Sequence, residues 1–132
     1  MKQVLKFLLD SLYYTYSLII KETNPRIKER EIYWCSLGYN VGFEENGKGE
    51  NFRRPILIVK KFNNNLFWGI PLSTKIKDNK YYKTITIKNE KQSAMISQLR
   101  VLDSKRLDQY ICQLDEKDFN LVKKEIIDIL ST

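Results

Sequence analysis

Histidine is absent from the 132 residues, and cysteine is nearly absent. A chain without histidine has no Ser-His-Asp or Cys-His triad, no imidazole proton shuttle and no metal site built on imidazole. Cys35 and Cys112 lie far apart without a CxxC spacing, which excludes a zinc cluster and disfavours a disulfide framework. Cys35 lies in an apolar run and is expected to be buried. Reduced thiols without a secretion signal indicate the cytoplasm.

A long uninterrupted apolar run is also lacking. Residues 7–20 are rich in apolar side chains, but Asp10 interrupts them and the run is shorter than the ~20 residues that span a bilayer. We therefore expect no membrane partner. Helical spacing instead predicts an amphipathic helix over residues 2–22, ending at Asn24-Pro25. Its apolar stripe is expected to be buried against the rest of the chain or a second subunit, and it comprises Leu5, Leu8, Leu12, Tyr16 and Ile19.

The charge is unbalanced, with a net value of +7. Residues 61–110 contain ten Lys or Arg and four acidic residues, so the excess lies in the middle of the chain. A positive field favours anionic partners such as nucleic acid, although a solvated Lys-rich surface gives the same count.

After residue 30 the pattern changes to short strands. Strands are predicted at 32–37, 54–60, 66–72 and 82–88, with shorter strand segments at 93–97 and 99–102. Asp103 is expected to cap a helical turn, and Asp115 a final helix. The buried face of that helix is predicted to be Phe119, Val122, Ile126, Ile127 and Leu130. Trp34 and Trp68 are expected in the core. These elements predict a small β-barrel of the α+β class, with an extension at 1–28 and a domain at 29–132.

Four sequence blocks stand in a defined order along this domain: Val41–Glu45, Arg54–Val59, Pro71–Lys75, and Ser97–Asp103 followed by Lys105–Leu107. Together they resemble the MazF/PemK family, toxins of bacterial type II toxin–antitoxin pairs, over about residues 30–130. The resemblance implies an SH3-like barrel of the CcdB/PemK type that forms a homodimer and binds RNA. It further implies metal-independent, sequence-specific cleavage of single-stranded RNA, no cofactor, and an acidic antitoxin partner.

Carried over to this sequence, the resemblance implies three catalytic residues. They are Arg54 before the strand proline, Ser73 after the third strand, and Glu44 in the loop after Val-Gly. The expected RNA-binding residues are Arg53, Thr74, Lys75, Lys77, Gln98 and Arg100. Two positions depart from the family pattern: Glu45 stands where relatives have Gln, and Ser97 where several have an acid.

The same roles follow from the chemistry of RNA cleavage. Attack by the ribose 2′-OH needs a base, stabilisation of charge on the phosphorane, and a proton for the leaving 5′ oxygen; it leaves 2′,3′-cyclic phosphate and 5′-OH ends. Without histidine these roles pass to carboxylates, hydroxyls and cations. Arg54 has a planar fork suited to phosphate oxygens, Ser73 can orient the phosphate, and Glu44 can take the 2′-OH proton. A relative that binds RNA without cleavage, or inhibits gyrase as CcdB toxins do, is the alternative.

Overall fold

The computed structural model describes residues 2–19, 26–38 and 53–131, with the backbone alone for 13–19. The helices are α1 Lys2–Ile19 and α2 Glu116–Ser131. The strands are β1 Glu31–Ser36, β2 Arg53–Lys61, β3 Leu66–Ser73, β4 Tyr82–Ile87, β5 Glu90–Met95, β6 Arg100–Asp103 and β7 Leu107–Gln113. Two 3-10 turns, Ile96–Gln98 and Ser104–Arg106, flank β6.

The strands form one curled antiparallel sheet in the order β4-β5-β3-β2-β1-β7, with β6 also paired to β3. The first half of β3, from Leu66 to Gly69, pairs with β6, whereas Leu72 and Ser73 pair with β5. One edge of β3 is thus shared by two strands, and the sheet bends there. The fold confirms the prediction of a small α+β barrel with a C-terminal helix and an additional N-terminal helix.

Two apolar cores lie on opposite faces of this sheet because β2 alternates between them. Ile56 and Ile58 pack in a cluster that also holds Cys35 and Phe67. Leu57 and Val59 point the other way, into a cluster that α2 closes with two buried side chains, Phe119 and Val122. Both faces of the central strands are therefore covered.

The predicted buried face of α2 is partly wrong. Phe119 and Val122 are buried and Ile126 packs against them, but Ile127 is 59% exposed and Leu130 is 81% exposed. The core-facing stripe continues instead to Ile129, since spacings of three and four residues keep side chains on one helix face. The Asp118 carboxylate accepts a hydrogen bond from the backbone N–H of Thr86 at 3.1 Å, which ties α2 to β4.

Three other features bear on the predictions. The Asp103 cap is confirmed, because its carboxylate accepts from the backbone N–H of Lys105 at 2.8 Å. The strand β7 was not predicted. Trp68 is 40% exposed and lies edge-on to Phe62, so its expected place in the core is wrong.

The N-terminal helix forms as predicted through Ile19, but its burial against this chain is wrong for Leu5, Leu8 and Leu12, each more than half exposed. The side chains of Tyr16 and Ile19 lie outside the described residues. Packing against a second subunit stays a prediction. None of the helices within the described ranges is long and apolar enough to cross a membrane.

Candidate active site

A cavity of about 480 Å³ lies where β3 changes partner from β6 to β5. Its apolar wall takes one residue from each of five strands and consists of Ile32, Pro55, Leu72, Ile87 and Ile111. Its polar and aromatic wall consists of Trp34, Arg53, Arg54, Ser73, Thr74, Lys88, Glu90 and Gln92. The cavity thus joins an apolar surface to a cluster of polar groups, as ligand sites commonly do.

Arg54 is the buried cation of this site, with 6% of its surface exposed. It lies near the start of β2, opposite Cys35 on β1. Its Nη1 donates a hydrogen bond to the carbonyl oxygen of Leu72 at 3.0 Å. Because that carbonyl belongs to β3, the bond fixes the guanidinium between the two strands that frame the cavity. Burial also removes water that would otherwise screen its charge.

Arg53 is held beside it by two contacts. Its guanidinium carbon lies 5.1 Å from the centre of the Trp34 ring, a cation–π distance. Its Nε lies 3.2 Å from a carboxylate oxygen of Asp108 on β7. Trp34 is half-buried and forms a wall of the cavity, so its expected core position is only partly correct.

Ser73 is the last residue of β3, Thr74 follows it, and both line the cavity. Ser73 is half-buried and pairs with Ser93 on β5. Its Oγ accepts a hydrogen bond from the backbone N–H of Lys75 at 3.2 Å, the geometry of a serine turn. That bond uses a lone pair of Ser73, and the hydroxyl proton remains a donor.

The basic segment after Thr74 is exposed and carries two cation–π pairs. The Lys77 ammonium lies 4.9 Å from the centre of the Tyr82 ring, and Lys80 lies 5.0 Å from that of Tyr81. Lys75 and Lys77 do not line the cavity but continue the chain from its rim. Aromatic rings beside cations suit an unpaired nucleic-acid strand, because bases stack while the backbone is neutralised.

The remaining predicted site residues lie elsewhere. Gln98 is in the first 3-10 turn and Arg100 begins β6; both are half-buried, and neither lines the cavity. Ser97, where several relatives have an acid, is exposed in the same turn. Glu44 lies outside the described residues.

Three hydrophilic cavity residues were not predicted as site residues, and all come from the β4–β5 hairpin: Lys88, Glu90 and Gln92. The hairpin turns tightly through Lys88 and Asn89, whose φ angles are 48° and 66°. Asn89 between two alternating segments signals that turn. The local sequence does not show that the hairpin lies beside the ends of β2 and β3. Within the described part of the wall, three cations face one carboxylate, Glu90. The cavity is therefore positively charged.

Cys35 is the register partner of Arg54 and does not line the cavity, and its thiol stays protonated at neutral pH. Burial raises the pKa of its thiol from 9.0 to about 12, although Arg106 and Arg100 lower it in part. The predicted burial of Cys35 is confirmed, and the thiol is free. In residues 2–19, 26–38 and 53–131, no three Cys, Asp or Glu side chains come together as a metal-binding group.

Comparison with known proteins identifies relatives of this fold. A family model described as "PemK-like, MazF-like toxin of type II toxin-antitoxin system" matches residues 28–130. A crystal structure of MazF from Deinococcus radiodurans superposes with a TM-score of 0.65 at 15% identity, covering 84% of this chain and all of that one. An endoribonuclease from Mycobacterial species, in complex with its cognate antitoxin, superposes with a TM-score of 0.63 at 14% identity. The match covers 80% of this chain and 95% of that one.

A third solved structure, Mycobacterium tuberculosis toxin MazF-mt6, gives a TM-score of 0.59 at 13% identity, covering 77% of this chain and 97% of that one. At such identities the superpositions show the fold. A search among curated proteins found no match.

Proposed function

Because the chain belongs to the PemK-like, MazF-like toxin family of type II toxin–antitoxin systems, we propose that it cleaves single-stranded RNA at short sequence motifs without a metal ion. The observation that carries this proposal is the buried Arg54, oriented by the Leu72 carbonyl and facing a cavity that Ser73 also lines. A fixed guanidinium beside a hydroxyl in a positive, partly apolar cavity suits a phosphodiester under attack.

The proposed reaction is an internal transesterification. The 2′ oxygen forms a bond to the adjacent phosphorus, and the bond from phosphorus to the 5′ oxygen breaks. Arg54 stabilises the negative charge that grows on the non-bridging oxygens, and Ser73 donates a hydrogen bond to one of them. A carboxylate takes the 2′-OH proton, and the departing 5′ oxygen takes up a proton from water to become a hydroxyl.

We consider two carboxylates for the base, one in the loop after Val-Gly and one on the cavity wall. Glu44 has the position that the family pattern favours, and Glu90 lines the cavity. We assign the role to Glu44, so Glu44→Gln should abolish cleavage while Glu90→Gln should retain it. The opposite result would move the role to Glu90. Ser97 does not line the cavity, so the missing acid at that position leaves the charge of the cavity wall unchanged.

The RNA strand is proposed to run from the cavity onto the basic segment after it. The nucleotides at the cleaved bond contact Thr74 and Arg53, whose guanidinium lies over the Trp34 ring. Lys75 and Lys77 neutralise phosphates further along the strand. Gln98 and Arg100 lie off the cavity and are assigned to flanking nucleotides. The recognised sequence then depends on contacts outside Arg54 and Ser73.

The proposed partner in the cell is an acidic antitoxin. One solved relative is an endoribonuclease in complex with its cognate antitoxin, and another is MazE–MazF from Deinococcus radiodurans. The net charge of +7 attracts an acidic protein, which would then cover the surface that binds RNA. We further propose that the protein is a cytoplasmic homodimer, in which two copies deepen the groove around each cavity.

The first test compares Arg54→Ala with Arg26→Ala, which removes an exposed arginine outside the cavity. Arg54→Ala should slow cleavage of a single-stranded RNA by on the order of 10²-fold or more, with a much smaller change in RNA affinity. Arg54→Lys should recover little rate, because an ammonium cannot reproduce the fork. Arg26→Ala should cleave at the wild-type rate. An Arg54→Ala protein of normal rate would contradict the assignment.

The bond from Arg54 to the Leu72 carbonyl also supports a second candidate, in which Arg54 is structural and the protein binds RNA without cleavage. In that case the wild type would bind RNA but release no fragments, and Arg54→Ala would lower the melting temperature without changing RNA chemistry. Growth arrest on induced expression of the wild type, and its loss with Arg54→Ala at equal soluble protein, would favour the nuclease.

A further inference from the structure

Four leucines of α1 form one continuous face of the helix. Leu5, Leu8, Leu9 and Leu12 follow the spacing i, i+3, i+4 and i+7, which places them on one side of an α-helix. Their exposed fractions are 58%, 52%, 55% and 66%. This leucine face lies in the segment before residue 28, where the match to the toxin family begins. The family fold therefore gives it no role.

The helix α1 lies near the second 3-10 turn, Ser104–Arg106, and the side chains of residues 2–12 are all exposed. The leucine face is therefore uncovered in a single copy. At about 100 Å² for each half-exposed leucine, and with Val4 beside them, the face offers at most roughly 500 Å² per chain for burial. With the face fully covered, two copies would bury about 1,000 Å², the size at which a specific interface begins.

The leucine face of one helix matches the leucine face of a second helix that runs in the opposite direction. The spacing of three, one and three residues reads the same in both directions about the midpoint between Leu8 and Leu9. In an antiparallel pair, Leu5 meets Leu12 of the second copy and Leu8 meets Leu9. Such a pairing is isologous, with one patch used by both copies, as two-fold dimers require.

Charge favours the same direction. A parallel pair would place Lys2 beside Lys2 and Lys6 beside Lys6 of the other copy, and like charges in contact oppose association. The antiparallel pair places Lys6 beside Ser11 and moves the two Lys2 side chains to opposite ends. Shape, spacing and charge all select one occupant of the leucine face.

We propose that α1 pairs antiparallel with α1 of a second copy of this chain along Leu5, Leu8, Leu9 and Leu12. The extension is then an association element added to the toxin fold. This role is independent of whether the protein cleaves RNA.

Cross-linking in the full chain tests the pairing and its direction. A Cys112→Ala background leaves the buried Cys35 as the native thiol, and Leu5→Cys and Leu12→Cys are made in it separately. With a short bismaleimide, the mixture of the two variants should cross-link most of its mixed pairs, and each variant alone should cross-link poorly. Strong cross-linking of each variant alone, or none in the mixture, would overturn the proposal. Gln3→Cys mixed with Asp10→Cys is the matched control on the polar face and should give little product.

A second measurement compares two variants that each add one negative charge to α1. Leu8→Glu should raise the dissociation constant of the dimer at least about tenfold, because Leu8 lies at the centre of the paired face. Gln3→Glu, on the polar face, should leave it within about twofold. Equal dissociation constants for wild type and Leu8→Glu would overturn the proposal. So would a leucine face that binds lipid vesicles or an acidic peptide while the chain stays monomeric.

Discussion

At the scale of single residues, the structure gives Arg54 a position that its sequence context does not. An arginine before a strand proline is ordinarily a surface residue, yet this one is buried and bonded to the Leu72 carbonyl. A buried guanidinium needs an acceptor, and the backbone of β3 supplies it at the edge of the cavity. Ser73 follows Leu72 by one residue, so the same strand positions both groups.

The role of Ser73 is tested by removing and then restoring its hydroxyl. Ser73→Ala should lower the cleavage rate by about tenfold without abolishing it, because one neutral donor is lost while Arg54 remains. Ser73→Thr should stay close to the wild-type rate. Single-turnover kinetics on a short RNA measure both, and an unchanged rate for Ser73→Ala would leave the serine with only its turn-forming bond to Lys75.

Cys35 predicts a dependence of stability on pH. The native thiol keeps its proton to about pH 12, whereas the ordinary value is 9.0, so above pH 9 the unfolded state binds fewer protons than the native state. The free energy of unfolding should then fall as pH rises, by at most about 1.4 kcal/mol per pH unit from this thiol, with no contribution below pH 8. Denaturant titrations of wild type and Cys35→Ala from pH 7 to 11 should converge as the pH increases. Parallel curves would contradict the prediction.

At the scale of secondary-structure elements, the edge of β3 that β5 and β6 share creates the site. The change of partner between Gly69 and Leu72 bends the sheet and opens the cavity beside Ser73. Gly69 lies at this bend, against buried side chains of β2 and β3. A Cβ there would meet Ile56 Cγ2 at 2.6 Å and Phe67 Cε2 at 2.9 Å, and both side chains are fully buried.

Gly69→Ala is therefore expected to destabilise the fold by about 1–3 kcal/mol, because a buried β-branched neighbour cannot move aside freely. Gly38→Ala is the contrasting variant. Its added methyl would meet open space, but its φ of 68° is a left-handed angle, so a cost of only about 1 kcal/mol is expected. Thermal unfolding of both variants measures this, and a Gly69→Ala protein as stable as wild type would contradict the packing described here.

The sequence predicts those elements whose signal is local. The first four strands, the final helix and the Asp103 cap follow from alternation, helical spacing and capping. Strand β7 does not, because Asp108, Gln109 and Tyr110 give it mostly exposed polar positions and its pairing with β1 is long-range. Whether Ile127 is exposed depends on which stripe of α2 packs against the sheet. The spacing of apolar residues alone does not determine that stripe.

Some residues of the candidate site can likewise be predicted from the local sequence, and others cannot. Arg53, Arg54, Ser73 and Thr74 adjoin strand ends that the sequence marks, and the fold brings all four to one cavity. Lys88 and Glu90 reach it through the placement of a hairpin, which no local pattern encodes. Gln98 and Arg100 share a sequence block but not the cavity, since β6 pairs with the half of β3 farther from Ser73.

At the scale of the whole molecule, a toxin domain at residues 28–130 carries an N-terminal helix that the family match does not include. The domain concentrates positive charge around a cavity, and the helix presents a leucine face. We propose RNA cleavage for the first and pairing with a second copy for the second.

Analysis of the ends formed by RNA cleavage tests the central proposal most directly. Wild-type protein in excess EDTA should cut a single-stranded RNA to give a 5′ fragment with a 2′,3′-cyclic phosphate and a 3′ fragment with a free 5′-OH. A deoxynucleotide before the cut should block cleavage and leave binding intact, since it lacks the 2′ oxygen that we propose as the nucleophile. Mass spectrometry of the fragments distinguishes the outcomes. Cleavage that requires Mg²⁺, leaves a 5′-phosphate, or proceeds past the deoxynucleotide would contradict the account.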